Sequence, residues 1–244
     1  MVSNEGPQGQ LGAHEHVEWT AEEIDRLLAV SAIEVDEPTP TCPGWTVASV
    51  LDHLARGAGI GWATWFREDA DIDGMAVMTG LPPATTGIAA RSMFHRTMPD
   101  YVHLLRATAP DKGCFWFSGP VPAAYLFRLG AVEIATHRAD VDLALGRTPE
   151  LPLSRAVDAV QLSAEFMPNL WSRRGEAAPP PLRLAPSDGP PTTVGAGTPV
   201  AVATGTSTDL WLRLWGRPAN NAVTIEGDHN ALDRWAESSP AAPF

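Results

Sequence analysis

The sequence predicts a mainly α-helical N-terminal domain, a four-helix bundle, followed by a small α+β domain. Up to about residue 146, apolar residues recur at intervals of three and four over four stretches, which is the period of a buried helix face. Beyond that point come a helix and short alternating runs separated by Gly and Pro, which are typical of strands and turns. Because 244 residues are enough for two small domains, we place the bundle at 14–150 and the α+β domain at 151–240.

The composition describes an ordinary globular protein and argues against two classes of function. Hydrophobic residues make up 44% of the chain and charged residues 19%, which is enough apolar material for a core. A formal net charge of −12 argues against nucleic-acid binding, which requires a basic surface. No signal peptide and no membrane-spanning stretch of roughly 20 apolar residues is visible. With only two cysteines, we expect a cytoplasmic protein with reduced thiols and no membrane partner.

The first helix is predicted to begin near Thr20, whose side chain can act as the N-cap, with Glu23 completing a capping box. Helical spacing continues to Ile33, and the prolines that follow end the helix, because a residue before proline resists the α conformation. His14 and His16 precede this start and are expected to lie at the surface without a role.

The second helix is predicted to begin at Thr46, a good N-cap, and carries His53 on the border of its apolar face. Three glycines follow and weaken the helix by roughly 1 kcal/mol each. Space beside His53 for a ligand, or a close contact with another helix, would explain them. These glycines are Gly57, Gly59 and Gly61.

The third helix is predicted over Gly87–Ala107, with a kink or break at Pro99. The fourth is predicted from Pro122 to Gly146, since proline suits a first turn and glycine a helix end. Two loops, Glu68–Thr86 and Pro110–Pro122, precede these helices and could form the walls of a substrate pocket.

The fourth helix carries the strongest functional signal. Glu133 and His137 are four residues apart and therefore share one face, which is otherwise apolar. A buried carboxylate and imidazole without partners would cost several kcal/mol. A metal ion would explain both, because the two side chains can reach a single ion, and His53 is the candidate third ligand. From spacing alone, an exposed ion pair and a hydrogen-bonded core histidine at position 53 remain the alternatives.

The C-terminal domain is predicted to contain a helix at Leu153–Trp171 and strands at 181–185, 199–204 and 222–226. A further helix is predicted to begin at Ser207 or Thr208 and to end at Gly216. A last short helix is predicted at Ala231–Glu237, with Asp228 as its cap.

Three motifs resemble one protein family. Cys42-Pro-Gly-Trp-Thr-Val-Ala-Ser-Val-Leu-Asp-His53 resembles the start of the second helix in mycothiol-dependent maleylpyruvate isomerase-like proteins, which belong to the DinB-like superfamily of metal-binding helical bundles. Glu133-Ile-Ala-Thr-His137 resembles their second metal motif. Asp209-Leu-Trp-Leu-Arg-Leu-Trp-Gly-Arg217, with the later Ile225-Glu-Gly-Asp228, is similar to their sterol-carrier-like C-terminal domain. The resemblance runs from about residue 20 to about residue 237.

The resemblance implies a divalent ion, usually zinc, held by His53, Glu133 and His137, with further coordination positions left open. It also implies that an arginine of the C-terminal domain faces the site and holds an anionic group of the substrate. Arg213 and Arg217 are the two candidates, and the sequence does not choose between them. The alternative for Arg217 is that it only binds the carbonyl groups at the end of the preceding helix.

The resemblance further implies that mycothiol, a low-molecular-weight thiol of actinobacteria, is the thiol co-substrate. The use of sixteen arginines and one lysine, Lys112, indicates a GC-rich genome, which is compatible with such a source. We favour S-transfer of the thiol to a small electrophilic substrate. The alternative is cis–trans isomerisation of a maleylpyruvate-like unsaturated acid.

Two other functions remain open at this stage. One is a non-catalytic bundle that binds a ligand. The other is a metal-dependent hydrolase, for which Asp140 is the only candidate base near the motif. We expect Asp140 instead either to face outward or to support His137 as a hydrogen-bond acceptor. Cys114 has only Lys112 nearby to lower its pKa, which is weak support for a nucleophile. The sequence does not predict the oligomeric state.

Overall fold

The computed structural model describes residues 11–67, 77, 80–116, 120–173, 175 and 177–237. Most of the predicted loop Glu68–Thr86 therefore lies outside the described residues. The chain forms two compact units, one spanning Gly12–Thr148 and one beginning at Pro149. The first is helical and the second contains a sheet with helices, which confirms the predicted fold class. Within the described residues, no helix has both the length and the apolar character needed to cross a membrane.

The N-terminal unit is built from helices packed around a buried apolar core. In the described part of this unit they are α1 (Ala13–Leu28), α2 (Val47–Arg56), a π-helical turn (Gly57–Trp62), α3 (Ala63–Phe66), α4 (Gly87–Ala107) and α5 (Ala123–Ala144). Two short antiparallel strands, β1 (Gly113–Cys114) and β2 (Val121–Pro122), lie just before α5. Helix α5 is the centre of the unit, because residues on nearly all of its sides are buried.

Helix α1 begins earlier than predicted. Its N-cap is Gly12, whose backbone N–H donates to the side chain of Glu15 at 2.7 Å. The prediction of Thr20 as N-cap is wrong, since Thr20 lies inside the helix and is buried. The earlier start places His16 four residues before Thr20 on the same buried face, so the expectation that His16 lies at the surface is also wrong. The helix ends at Leu28, and Ile33 is 89% exposed beyond it.

Glu23 forms a buried ion pair instead of a capping box. Its carboxylate lies 2.7 Å from the guanidinium Nε of Arg138 on α5, against which α1 packs. The indole N–H of Trp19 donates to the same carboxylate at 3.1 Å. Arg138 also pairs with Asp142, one turn further along α5. The charge network therefore ties α1 to the helix that carries the metal-ligand candidates.

Helix α2 starts as predicted, because the side chain of Thr46 accepts the backbone N–H of Ser49. The glycines after it form the π-helical turn, a feature frequently found at functional sites. A Cβ on Gly59 would come within 2.8 Å of the hydroxyl of Thr97 on α4. Of the two explanations considered for the glycines, a close helix contact therefore holds for Gly59.

Helix α4 has the predicted bounds and continues through Pro99 without a break. Thr86 caps it, since its side-chain oxygen accepts the N–H of Ala89 at 3.1 Å. Helix α5 begins directly after Pro122 and stops just before Gly146, which adopts a left-handed φ of 67°. The predicted loop between the two helices contains β1 and β2.

The C-terminal unit combines one four-stranded sheet with helices. Its elements are α6 (Leu153–Arg173), β3 (Leu182–Pro186), β4 (Thr192–Val194), β5 (Ala201–Gly205), α7 (Ser207–Leu214), β6 (Thr224–Gly227) and α8 (Ala231–Ala236). The strand order is β4-β3-β5-β6, with β3 parallel to β5 and the two edge strands antiparallel to their neighbours. Strand β4 was not predicted, because its Thr-Thr-Val segment is too short to show an alternating pattern.

Two helix caps of this unit differ from the prediction. Helix α7 is capped by Thr206 instead of Ser207 or Thr208, and Thr206 accepts the N–H of Asp209 at 3.2 Å. Helix α8 begins after Asn230, so Asp228 is not its N-cap; its carboxylate instead accepts the N–H of Asn230 at 3.1 Å.

Asp209 organises the start of α7 from a fully buried position. Its carboxylate accepts the backbone N–H groups of Asn220 and Asn221 at 2.8 and 3.0 Å, and the hydroxyl of Thr206 at 2.6 Å. Burial raises the pKa of Asp209, but the hydrogen bonds from Thr206 and Asn221 outweigh it and hold the pKa below its ordinary value. The charged carboxylate therefore stabilises the folded unit.

Asp209→Asn is expected to destabilise the protein by about 1–3 kcal/mol at pH 7, because buried N–H donors lose a charged acceptor. A lowered folded-state pKa means that the stabilisation is present above the unfolded-state pKa of about 3.9 and is lost as the pH falls through the folded value. Urea unfolding of both proteins between pH 3 and pH 7 should therefore show a difference in the free energy of unfolding that becomes smaller as the pH falls. A difference in unfolding free energy that is the same at every pH would contradict the stabilising role of the charged Asp209 carboxylate.

Candidate metal centre

The loop before α2 brings three side chains to the candidate site. Pro43 and Gly44 form a turn closed by the N–H of Trp45, which donates to the carbonyl of Cys42 at 2.9 Å. Gly44 has a φ of 82°, as the second central residue of a Pro-Gly turn requires. The turn places Thr41, Cys42 and Trp45 beside α5.

His53 from α2 and the two candidates on α5 converge as the sequence predicts. Nε2 of His53 lies 3.2 Å from Oε1 of Glu133, and Nε2 of His137 lies 3.3 Å from the same oxygen. One ligand atom from each of the three lies within 4.8 Å of the other two. Both histidines are buried, with 9% of His53 and 7% of His137 exposed. Four-residue spacing on α5 and the packing of α2 against it produce this arrangement.

The three side chains fit a divalent metal ion. Two imidazole nitrogens and one carboxylate oxygen form a donor set typical of zinc, which binds such atoms at about 2.0–2.2 Å. Tetrahedral ligands at that distance are about 3.3 Å apart, close to the two separations measured here. Three protein ligands would leave a fourth position open. The centre therefore has the donor chemistry and spacing of a catalytic metal site.

The protonation states also favour a cation. Burial raises the pKa of Glu133, but the charge of His137 and hydrogen bonds from His137 and His53 outweigh it and hold that pKa far below its ordinary value. Burial lowers the pKa of His137, yet the carboxylates of Glu133 and Asp140 raise it to about 9. Burial lowers the pKa of His53, so its imidazole is neutral at pH 7. A metal ion would replace the proton that His137 carries.

Asp140 supports His137 from behind. Nδ1 of His137 donates to the Asp140 carboxylate at 2.9 Å, which leaves Nε2 directed toward Glu133. Asp140 is fully buried and accepts further hydrogen bonds from the hydroxyl of Thr41 and the thiol of Cys42. A carboxylate behind a histidine ligand orients the ring and raises its basicity. Of the two positions expected for Asp140, the structure shows the supporting one, and the outward-facing alternative is wrong because the residue is buried.

Cys42, His137 and Asp140 form a second group whose ligand atoms also lie within 4.8 Å of one another. In this group Nδ1 of His137 and the thiol of Cys42 both donate to Asp140. The group thus consists of donors and their common acceptor, and it supports the first group instead of competing with it.

Trp45 covers the two imidazole rings, and sequence reasoning missed this contact. Its ring centroid lies 5.4 Å from that of His53 and 6.2 Å from that of His137, with which it is nearly parallel. The signal available in the sequence was the Pro43-Gly44 turn, which reverses the chain directly before the second helix. The contact of Thr41 with Asp140 was also missed, because a hydrogen bond between residues so far apart in the sequence leaves no local pattern.

Three further candidates of the sequence, Cys114, Arg213 and Arg217, are described within their own units. Cys114 is fully buried, and this burial raises the pKa of its thiol, which argues against a nucleophile. In the C-terminal unit, Arg213 pairs with Asp233 and lines a cavity of about 300 Å³ together with apolar side chains. Arg217 is 2% exposed and donates to the carbonyl of Trp215. A role for Arg213 or Arg217 toward a substrate stays a prediction.

Comparison with known proteins identifies the family. Residues 17–142, more than half of the chain, match the family described as "Mycothiol maleylpyruvate isomerase N-terminal domain". The chain belongs to this family. The resemblance found in the sequence motifs is thereby confirmed, and the family's match includes all three metal-ligand candidates.

Solved structures of a family enzyme share the fold. The crystal structure of the mycothiol-dependent maleylpyruvate isomerase is 16% identical and gives a TM-score of 0.62, with 88% of this chain and 93% of that chain covered. A mutant of that isomerase gives 18% identity, a TM-score of 0.61 and the same coverage. At these identities the likeness establishes the fold alone. No curated protein matches the sequence significantly.

Proposed function

We propose that this protein is a metal-dependent enzyme, with zinc as the preferred ion, that activates mycothiol as a thiolate for S-transfer to a small electrophilic substrate. The observation that carries the proposal is the convergence of His53, Glu133 and His137 on one point, with Asp140 fixing His137 from behind. A divalent ion held there would supply Lewis-acid chemistry and keep a thiol deprotonated at neutral pH.

The chain's own residues supply positioning and exclusion of water. Asp140 fixes the orientation of the His137 ring, and Trp45 covers both imidazoles on one side. The thiol has to come from outside, because both cysteines are buried, with 2% of Cys42 and 0% of Cys114 exposed. A low-molecular-weight thiol co-substrate, as named in the family description, meets this requirement.

A second candidate is cis–trans isomerisation of a maleylpyruvate-like unsaturated acid, which the names of the matching structures favour. Both activities begin with addition of the thiolate to an activated carbon. They differ afterwards. In isomerisation the adduct rotates about the former double bond and expels the thiolate, whereas in S-transfer the sulfur stays on the product, which either takes up a proton or releases a leaving group.

A non-catalytic ligand-binding bundle is the alternative from another class. Such a protein has no need of two histidines and a carboxylate converging on one point. It also has no need of a buried aspartate that fixes one of the imidazoles. The candidate metal centre therefore favours an enzyme.

The test is a product analysis with the metal-loaded protein. Elemental analysis first establishes the bound ion, and mycothiol is then offered with maleylpyruvate and with a panel of alkylating electrophiles. Mass spectrometry of a stable S-conjugate supports S-transfer, and conversion of maleylpyruvate with the thiol recovered free supports isomerisation. If the fully metal-loaded protein formed neither product, the result would favour the non-catalytic ligand-binding alternative.

Asp140→Asn is expected to weaken metal binding by about 10–100-fold, because an amide is a poorer acceptor for the N–H of His137 and raises its basicity less. Competition with a chromophoric chelator measures the affinity. Asp142→Asn, on the same helix but paired with Arg138, is the matched control and should retain the wild-type affinity. Equal affinities for Asp140→Asn and wild type would show that Asp140 is only a structural residue.

A further inference from the structure

Tyr101 on α4 carries a buried hydroxyl that the mechanism above does not use. Only 1% of the residue is exposed, and within the described part of the chain its oxygen has no hydrogen-bond partner. Burial and the carboxylate of Glu133 raise the pKa of Tyr101, so the phenol keeps its proton throughout the working range of the protein. An unpaired O–H group in a dry interior is costly and calls for an acceptor that the chain itself does not supply.

The hydroxyl faces the turn of α5 that carries Glu133. A Cβ on Gly130 would lie 3.2 Å from the Tyr101 oxygen and 3.5 Å from the ring of Trp62. Because Gly130 has no side chain, the backbone of α5 approaches the hydroxyl closely, and no side-chain atom of this residue lies in front of it. Gly130 is one turn before Glu133, and a helical side chain leans toward the N-terminal end of its helix, so the Glu133 side chain extends over the same turn.

Aromatic rings surround this position. Trp62 stacks on Trp65 at 5.7 Å between ring centroids, and Phe66 lies 6.2 Å from Tyr101. Trp62 belongs to the π-helical turn, which follows directly after the helix that supplies His53. Apolar walls around one polar donor suit a small planar molecule with an oxygen acceptor, and they do not suit a bulky polyhydroxylated thiol.

We propose that Tyr101 is a catalytic residue whose hydroxyl donates a hydrogen bond to the carbonyl or carboxylate oxygen of the electrophilic substrate. The inference rests on the proposed thiolate addition and names the group that stabilises the negative charge which this addition creates on the substrate oxygen. Gly130 places no side chain between the hydroxyl and that oxygen, and Trp62 and Phe66 provide the apolar wall beside the substrate.

The bonding changes explain why a neutral donor is useful at this place. The thiolate sulfur forms a bond to the β-carbon of an α,β-unsaturated carbonyl compound, and the π electrons move onto the carbonyl oxygen. The Tyr101 O–H group donates to this oxygen as its negative charge develops, and it keeps its proton. Return of the electrons expels the thiolate, whereas uptake of a proton from water leaves the sulfur attached. A donor aimed at developing charge accelerates such steps more than it strengthens substrate binding.

Tyr101→Phe tests the proposal, with Tyr125→Phe as a matched control, because the chain contains only these two tyrosines. We expect Tyr101→Phe to retain its metal and its melting temperature, since the lost hydroxyl has no partner in the fold. Its kcat/KM for thiolate addition should fall by about 100-fold, which is typical for loss of one such donor. Maleate, a planar unsaturated diacid, should bind about 10-fold more weakly by calorimetry without thiol. Tyr125→Phe should match the wild type in all four measurements.

A direct readout follows from the same pair of residues. In the Tyr125→Phe variant labelled with ¹³Cζ-tyrosine, Tyr101 gives a single NMR signal whose shift reports hydrogen bonding of the hydroxyl. We expect this signal to move when maleate is added to the metal-loaded protein. A signal that does not respond to maleate, or unchanged maleate binding and turnover in Tyr101→Phe, would overturn the assignment.

Failure of the proposed function gives a different pattern. The proposed function would be refuted if the wild-type protein performed no thiolate addition. The Tyr101 signal could nevertheless move on addition of maleate, and Tyr101→Phe could still bind maleate more weakly. The hydroxyl would still stand as an oxygen-binding group of the site.

Discussion

A His137→Ala variant is expected to lose its metal ion and, with it, its thiol chemistry. His137 supplies one of three converging donor atoms, and no other described side chain within the group can replace it. The affinity should fall by at least about 10³-fold, beyond the 10–100-fold that loss of a supporting partner costs. Elemental analysis of the purified, tag-free protein before and after dialysis against a chelator measures this effect.

Two controls make the result specific. His103→Ala removes an exposed histidine from α4 and should leave the metal content unchanged. Circular dichroism should show the wild-type helix content in the His137→Ala variant, because α5 is held in place by its buried apolar residues. His53→Ala and Glu133→Ala should behave like His137→Ala. A full complement of metal in all three variants would refute the proposed ligand set.

The ligand set could be proposed from the sequence because it follows from helix geometry. Four-residue spacing places Glu133 and His137 on one face whatever the rest of the fold does. His53 was only one candidate for the third ligand until the family resemblance supported it, since spacing within one helix says nothing about which other helix lies opposite. The structure then places its imidazole 3.2 Å from Glu133. Periodicity thus predicts which residues share a face, and tertiary packing decides which faces meet.

The parts of the centre that were missed depend on that packing. The hydrogen bond from Thr41 to Asp140 joins residues 99 positions apart, and Trp45 reaches the imidazoles only because a turn redirects the chain. The start of α1 was placed too late for a related reason. Thr20 and Glu23 form a valid local capping pattern, but burying both against α5 outweighs that local preference.

Glu23→Gln is expected to be the most destabilising of the conservative substitutions considered for the N-terminal unit. The side chain of Glu23 is fully buried and lies 2.7 Å from the guanidinium of Arg138, of which 5% of the side chain is exposed. Removing the charge weakens one of the two carboxylate contacts of a buried guanidinium. Breaking a buried pair typically costs about 3–5 kcal/mol, and because Asp142 remains as the second partner we expect a loss near the lower end of that range. The urea concentration at the unfolding midpoint should fall accordingly, while the dependence of the unfolding free energy on urea concentration (the m-value) should stay unchanged.

The matched control is an ion pair of the same kind at the surface. Glu18, also on α1, pairs with Arg106 on α4, and the two side chains are 37% and 50% exposed. Glu18→Gln should cost no more than about 1 kcal/mol, because solvent screens exposed charges. Equal losses in the two variants would mean that burial does not strengthen the Glu23 contact.

A double variant separates the ion pair from the packing around it. Replacing a buried pair by apolar residues of similar volume is often neutral, whereas removing one partner is costly. Glu23→Leu combined with Arg138→Leu should therefore recover most of the stability that Glu23→Leu loses alone. Recovery should be incomplete, because the indole N–H of Trp19 loses its acceptor and Asp142 loses its ion-pair partner. Since Arg138 directly follows His137, retention of metal by the double variant would show that the pair fixes α1 to α5 without shaping the metal centre itself.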